Sequence, residues 1–293
     1  PKKNSNYEYS SDTRKMSEYR YGDLPFHVKT FLNIPWKSKD YLRQEPSSSN
    51  LNKSFLSAIA LVFLKKKNPD ANDMISHIKN KINVSNILQF HNGNLPSLFY
   101  EENQIEHESL EKYKSKPEYS KFFMSMKNAS ERQKKIVING THLFLKYIEE
   151  PSSYVDCYYL WDMICSGILN QYNDKQKLNL VIIENNENDV TEHIHLICPS
   201  PGFSNYRFDI NDPVILLYKE GDKYQPIFHK KNKNKTRYFK DKSSRFEMLD
   251  NMLNDIYNKC TQTIDKNYKF EESIDIFALL KLFPDFEETY KIK

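Results

Sequence analysis

The sequence predicts an α+β fold in which helices surround a single mixed β-sheet. Up to Gln171, apolar residues recur mainly with helical spacing. From Leu178 onward, short apolar runs of strand length replace that spacing. The composition, with 39% hydrophobic and 14% aromatic residues among 293, supplies enough apolar side chains for a sizeable core. Helices followed by strands and further helices are typical of one mixed sheet with helices around it.

Three parts are predicted along the chain. Residues 1–17 are polar and predict a flexible lead-in, residues 18–240 hold the core, and residues 241–293 predict a C-terminal helical extension packed on that core. Residues 37–53 predict a polar loop within the core region. Because the chain begins with Pro1 rather than Met, we expect it to be a fragment of a longer protein.

The helical part is marked by its apolar faces. Phe55, Ile59 and Phe63 share one face, and three lysines at 65–67 suit the negative end of a helix dipole. A short helix and a His-Asn-Gly turn are expected over 83–100, and helical pieces over 101–128. The principal predicted helices cover about 54–67, 73–82, 130–149 (interrupted by an Asn-Gly pair) and 154–171.

The strand part combines buried-type runs with one hairpin. A tight turn at Glu220-Gly221-Asp222 joins two of the runs into that hairpin. The predicted strands cover about 178–184, 193–198, 213–218 and 224–228, with one more near 236–239. Helices near 245–260 and 274–282 are expected to complete the chain.

Composition excludes several classes of protein. With six glycines and neither GxGxxG nor GxxxxGK[ST], no glycine-rich phosphate loop and no bound cofactor are expected. Four cysteines without CxxC spacing favour reduced thiols in a reducing compartment. No apolar run reaches the ~20 residues of a membrane span. We therefore expect a cytosolic or nuclear setting without a membrane span.

Two separated stretches carry the pattern of a catalytic site. The segment LNKS (51–54) runs into the apolar FLSAIA (55–60), which places a hydroxyl at the start of a buried helix. The strand at 214–218 leads through a tight turn to KYQ (223–225). Together these stretches resemble the OTU family of papain-like cysteine proteases, which cleave ubiquitin from proteins. That family has Asp-Gly-x-Cys before an apolar helix, and His-Tyr-Asp or His-Tyr-Asn entering a strand. The resemblance covers roughly residues 45–230.

The resemblance implies a papain-like, OTU-like sheet flanked by helices, with the nucleophile position at Ser54 and the base position at Lys223. Gln225 takes the orienting position, and Leu51 stands where the family has Asp. A serine hydroxyl needs a positioned base, and a lysine serves as one only when its pKa is strongly lowered. Each position is substituted, which predicts an inactive relative acting as a protein-interaction or structural module, with ubiquitin as a possible partner.

Two alternatives stay open at this point. Ser54 is also at the position of an ordinary helix N-cap, which needs no catalytic role. Alternatively, the chain is an active deubiquitinase-like or other acyl-transfer hydrolase that uses Ser54 with Lys223. Labelling by an activity probe distinguishes the inactive from the active reading.

A second resemblance concerns origin. The segments YGDLP (21–25), SFLxxIA (54–60), YLWD (159–162) and LVIIE (180–184) are similar to a segment of large uncharacterised proteins of giant double-stranded DNA viruses. The Asn-, Lys-, Tyr- and Ile-rich composition agrees with an AT-rich viral genome. This resemblance implies a host-cytoplasm or virion setting and no particular activity.

Two further patterns contain residue types that are found in binding sites. His193, His195 and Cys198 are zinc-type ligands, but no second Cys or His pair lies nearby, so no metal site is predicted. A basic run could contact phosphates, yet the net charge is only +4, which favours a solvated loop over a nucleic-acid surface. The basic residues are Lys230, Lys231, Lys233, Lys235 and Arg237.

Overall fold

The protein is represented by a computed structural model that describes most of the chain up to residue 239. The described residues are 16–107, 109–173, 176–185, 194–197, 204, 209, 211–231, 234–239 and 251. The flexible lead-in, apart from residues 16 and 17, and the C-terminal extension, apart from residue 251, lie outside this part of the chain.

Eight helices and seven strands occur in the described ranges. The helices are α1 Phe26–Phe31, α2 Ser54–Phe63, α3 Ala71–Lys81, α4 Glu102–His107, α5 Glu111–Lys114, α6 Ser120–Ser125, α7 Glu131–Glu149 and α8 Cys157–Cys165. The strands are β1 Tyr21–Asp23, β2 Tyr41–Gln44, β3 Asn179–Asn185, β4 Ile194–Ile197, β5 Val214–Glu220, β6 Lys223–Lys231 and β7 Asn234–Thr236. Short 3₁₀ turns connect several of these elements, including Leu51–Lys53 immediately before α2.

The sheet has the strand order β1-β2-β6-β5-β3-β4, and β7 pairs with β6 beyond the end of β5. Strands β3 and β5 are parallel, whereas the other paired strands are antiparallel. The sheet is therefore mixed, and the predicted α+β class is confirmed. The predicted hairpin is β5–β6, which turns at Gly221 with a φ of 55°.

Helices cover both faces of the sheet centre. Along β3, Leu180 and Ile182 pack into the larger cluster with α2, α3, α7 and α8. The alternate residues Val181 and Ile183 pack into a second cluster with Val28 of α1. This alternation follows from the two-residue period of a strand. All ten residues of α2 are buried, so it is the central helix of the larger cluster.

Several predicted boundaries differ from the structure. Helix α2 ends at Phe63 because Leu64 is extended (φ −92°, ψ 141°), so the three lysines lie beyond the helix rather than in its last turn. The predicted loop 37–53 contains β2 and a 3₁₀ turn. The predicted helix 154–171 is shorter, since Asp156 accepts a hydrogen bond from the amide of Tyr158 and so caps it at Cys157.

Helix α7 is continuous through the Asn-Gly pair that was predicted to interrupt it. At Gly140 the helix approaches the chain at Pro96 so closely that a Cβ atom would lie 2.0 Å from the Pro96 carbonyl oxygen. The glycine is thus required by packing between the helix and the 3₁₀ turn Leu95–Leu98, and not by a break in the helix. The predicted turn at 91–93 is confirmed, with positive φ at all three residues.

Candidate functional site

Ser54 lies in the first turn of α2 and is 5% exposed. Its hydroxyl oxygen accepts a hydrogen bond of 2.9 Å from the backbone N–H of Tyr224 in β6. The N-cap position of α2 belongs to Lys53, so the N-cap interpretation of Ser54 is wrong. Asn50 provides the capping oxygen for the 3₁₀ turn that precedes α2, at 3.0 Å from the amide of Asn52. The serine connects a helix to a strand and does not cap its own helix.

The two stretches singled out in the sequence therefore meet in space. Ser54 and Tyr224 are 170 positions apart, and their hydrogen bond joins the first turn of α2 to the first residues of β6. The rings of Phe55 and Tyr224 also meet edge to face, with centroids 5.1 Å apart. The sequence prediction placed positions 54 and 223–225 at one site, and the structure brings these positions together.

Lys223 is directed to a carboxylate. Its Nζ lies 3.1 Å from Oε1 of Glu45, whose side chain is only 5% exposed. The second oxygen of Glu45 accepts a hydrogen bond from the side-chain amide of Gln225. An ammonium that donates to a carboxylate has no lone pair with which to take the proton of a serine hydroxyl. In this arrangement Lys223 does not act as a base toward Ser54.

Gln225 is the central member of a buried polar chain across β2 and β6. Its side-chain oxygen accepts a hydrogen bond of 3.0 Å from the guanidinium of Arg43, and Arg43 also donates to the carbonyl of Asp23 at 3.1 Å. The guanidinium carbon of Arg43 lies 5.9 Å from the ring centre of Tyr218 in β5, the strand on the other side of β6. Buried polar groups need such partners, and here each of the two oxygens of Glu45 and the oxygen of Gln225 has one.

A small cavity lies beside Ser54. Its volume of about 10 Å³ suits roughly one water molecule, which is far less than a peptide substrate needs. Leu51 stands at its edge with 49% of its surface exposed, so an apolar side chain occupies the position at which the resemblance implies Asp. The cavity is lined by Glu45, Pro46, Ser47, Ser48, Asn50, Leu51, Ser54, Lys223 and Tyr224.

The sequence reasoning missed Lys53. It is 3% exposed, and its Nζ donates a hydrogen bond of 2.6 Å to the hydroxyl of Ser153. Burial lowers the pKa of Lys53 to about 8, although the nearby Glu150 opposes that shift. The hydroxyl of Ser153 in turn donates to the carbonyl of Glu150 at 2.8 Å, so this pair ties α2 to the end of α7. Nothing in the local sequence around Lys53 indicates that its partner is Ser153, which lies 100 positions further along the chain.

The loop after α7 holds the segment before Ser54 in place. The side chain of Asn50 donates to the carbonyl of Pro151 at 2.8 Å. The backbone N–H of Val155 donates to the carbonyl of Asn52 at 3.0 Å. The first turn of α2 is consequently fixed from both sides, by this loop and by β6.

The zinc-type residues are only partly described. His195 is an exposed residue of β4, while His193 and Cys198 lie outside the described residues. Among the residues that the structure does describe, no three of His, Cys, Asp and Glu form a group that could hold a metal ion. Cys157 and Cys165 are buried free thiols, and burial raises the pKa of Cys157 to about 12.

The basic run begins in the last residues of β6, continues through β7 and ends just after it. The backbone N–H of Lys230 donates to the carbonyl of Asp40 at 2.6 Å. Lys230 stands opposite Lys235 in the strand register, and Lys231 opposite Asn234. Only the backbone of Lys231 and Lys235 is described, and Lys233 lies outside the described residues.

Arg237, the last member of the basic run, packs against Tyr172 with its guanidinium carbon 4.9 Å from the ring centre.

No helix in the described part of the chain is long and apolar enough to cross a membrane. Comparisons of the chain with protein-family models, with curated proteins and with solved structures found no match.

Proposed function

We propose that this chain is a catalytically inactive, OTU-like domain of a larger viral protein, and that it serves as a protein-interaction or structural module. Ubiquitin is the first partner to test. The proposal extends to a papain-like arrangement of the sheet and to a host-cytoplasm or virion setting. One observation carries the inactive reading, namely that Ser54 is 5% exposed and its hydroxyl oxygen accepts a hydrogen bond from the backbone N–H of Tyr224.

The surroundings of Ser54 support this reading. A nucleophile must be reached by its substrate and activated by a base within hydrogen-bond distance. Ser54 is buried beside a cavity of about 10 Å³, and Lys223 is paired with Glu45. The charged and polar side chains at the site are instead engaged with one another, which is how a structural polar network is built.

The surface beside the site supports an interaction role. Leu51 and Tyr154 are 49% and 37% exposed, and they stand on two loops that are hydrogen-bonded to each other. Exposed apolar and aromatic side chains on a fixed backbone are the kind of surface that a protein partner buries. Neither residue belongs to the two buried clusters of the core.

Activity probes test the inactive reading. A fluorophosphonate and a ubiquitin probe with a C-terminal electrophile are expected to leave the intact chain unlabelled, as judged by mass spectrometry. An active deubiquitinase is the positive control. Labelling of the native chain at Ser54 would instead establish the hydrolase alternative, in which Ser54 acts with Lys223.

Binding tests the interaction role. Isotope-labelled ubiquitin, titrated with the chain, is expected to show localised chemical-shift changes that Leu51→Asp abolishes. Leu98→Asp is the matched control, because Leu98 is 48% exposed and lies on a different surface turn. If ubiquitin does not respond, or if both variants reduce the response equally, ubiquitin is not the partner of the surface that Leu51 and Tyr154 form.

A further inference from the structure

An aromatic side chain is displayed on the surface at the end of α2. Tyr172 is 43% exposed, yet its position is fixed. Its hydroxyl donates to the carbonyl of Leu64 at 3.3 Å, and its backbone N–H donates to Asn170 at 2.9 Å. Tyr238 holds the same Asn170 with a hydrogen bond of 3.0 Å. The ring is thus presented to solvent on a rigid support.

Two cations from distant parts of the chain contact this ring. The Nζ of Lys65 lies 5.4 Å from the ring centre, and the guanidinium carbon of Arg237 lies 4.9 Å from it. Arg237 also donates a hydrogen bond to the Tyr172 hydroxyl. These distances are within the range of cation–π attraction, so the ring and the two charges form one surface unit.

Further lysines extend the positive charge. Lys66 and Lys67 follow Lys65 immediately and are exposed, because the chain leaves α2 in an extended conformation at Leu64. Asp73 neutralises Lys66, whose Nζ is 2.5 Å from a carboxylate oxygen. Lys67 therefore adds to Lys65 and Arg237.

We propose that Lys65, Lys67, Tyr172 and Arg237, together called the Tyr172 surface, bind the backbone of a single-stranded nucleic acid. Clustered cations attract phosphates, and an exposed aromatic ring offers a face for an unpaired base. An acidic protein would also be attracted by the cations, but a single strand presents phosphates and unpaired bases in regular alternation, which matches cations grouped around an exposed ring. Arg237 follows directly on β7, in which Lys235 stands opposite Lys230 of β6.

In isolation, the basic run predicts a solvated loop and not a binding surface. The run contributes Arg237, and the three-lysine segment contributes Lys65, but they are 172 positions apart in the chain and no sequence pattern joins them. Only the tertiary structure places both on Tyr172.

The test is fluorescence anisotropy of a labelled thymidine oligonucleotide of about 20 nucleotides with the full chain, between ~50 and ~200 mM salt. For a single strand, a plot of the logarithm of the binding constant against the logarithm of the salt concentration has a slope of about −0.7 for each phosphate contact. The double variant Lys65→Gln/Arg237→Gln removes two phosphate contacts, so the slope is expected to become less negative by about 1.4. Tyr172→Leu is expected to weaken binding by about tenfold, with an unchanged slope, since stacking is not ionic.

The chain offers a matched control. Lys112 and Lys116 lie 4.7 and 5.9 Å from the ring centre of Tyr113, but that ring is only 6% exposed. Lys112→Gln/Lys116→Gln removes the same charge from another pair of ring contacts and is expected to leave the affinity and the slope unchanged. Thermal melts establish that each variant is folded.

Three results would overturn the proposal. They are the absence of binding by the native chain at ~50 mM salt, an equal loss in the control variant, and tighter binding to a duplex of the same length. The first would mean that the cations do not act together on phosphates. The second would mean that only overall charge matters, and the third that the exposed ring has no role in binding.

Discussion

The hydroxyl oxygen of Ser54 accepts a hydrogen bond of 2.9 Å from the backbone N–H of Tyr224, although the two residues are 170 positions apart. This bond fastens the buried helix α2 to the long strand β6. Both partners are almost completely buried, at 5% and 2% exposure. The serine is thus a structural link at the position that the resemblance assigns to a nucleophile.

Loss of this link is expected to cost stability. Ser54→Ala leaves the Tyr224 amide buried without its acceptor, which typically costs about 1–3 kcal/mol. Chemical denaturation measures the change. Ser57→Ala, one turn further along the same buried helix, controls for the change in side chain and is expected to cost less. Equal losses in both variants would show that the bond to Tyr224 contributes nothing specific.

The two partners of the Glu45–Lys223 ion pair are expected to respond unequally. Lys223→Met leaves the carboxylate of Glu45, which is 5% exposed, without its cation, so a loss of about 3 kcal/mol is expected, as for breaking a buried pair. Glu45→Ala leaves Lys223, which is one-third exposed and can be solvated, and removes the acceptor of the buried Gln225 amide, so a smaller loss of about 1–2 kcal/mol is expected. A double-mutant cycle by urea denaturation checks both values. A larger loss for Glu45→Ala than for Lys223→Met would contradict this account.

Lys53 is expected to make stability depend on pH in the alkaline range. Its folded pKa is about 8, below the ordinary ~10.4, so the unfolded chain binds more protons between these values. The free energy of unfolding therefore gains a contribution that increases with pH from about 8 to about 10.4. Below about pH 8 the lysine is charged in both states and this contribution does not change.

Comparison with a variant isolates that contribution. The stability of wild type relative to Lys53→Met is expected to rise by roughly 3 kcal/mol across the window, at about 1.4 kcal/mol per pKa unit. A difference between wild type and Lys53→Met that does not change with pH across this window would contradict the lowered pKa.

Gly140 is expected to tolerate no side chain. Alanine normally stabilises a helix interior by up to about 1 kcal/mol relative to glycine. Here its Cβ would lie 2.0 Å from the Pro96 carbonyl oxygen, so Gly140→Ala should instead destabilise by about 3 kcal/mol or more. Gly221→Asn is the control, since that turn has open space and asparagine accepts its positive φ. A neutral Gly140→Ala would show that α7 and the 3₁₀ turn separate easily.

The sequence predicted the apolar elements well and the polar ones poorly. Helices α3 and α7 and the β5–β6 hairpin follow from apolar spacing and from a glycine turn, which are local signals. Strand β2 was missed because Arg43 and Gln44 are polar yet buried. Their burial depends on partners such as Gln225, which is 182 positions from Arg43, and no local pattern reveals such a partner.

The candidate site divides in the same way. The meeting of positions 54 and 223–225 was predicted, because chain order and spacing in the resemblance implied it. The partners of those residues were not, since Glu45 opposite Lys223 and Ser153 opposite Lys53 are set by tertiary packing. The role of Ser54 also depended on the 3₁₀ turn before α2, which moved the N-cap one residue toward the N-terminus.

The pairing of β2 with β6 sets an order of events during synthesis. Most of the described chain must leave the ribosome before β2 finds its partner, since β6 ends at Lys231. Pairings of such long sequence separation form slowly, because a large loop must close before the contact is gained. Helices α2, α3, α7 and α8 can assemble earlier through contacts closer in sequence. We therefore expect the sheet to close over a preformed helical subdomain as the last step of folding.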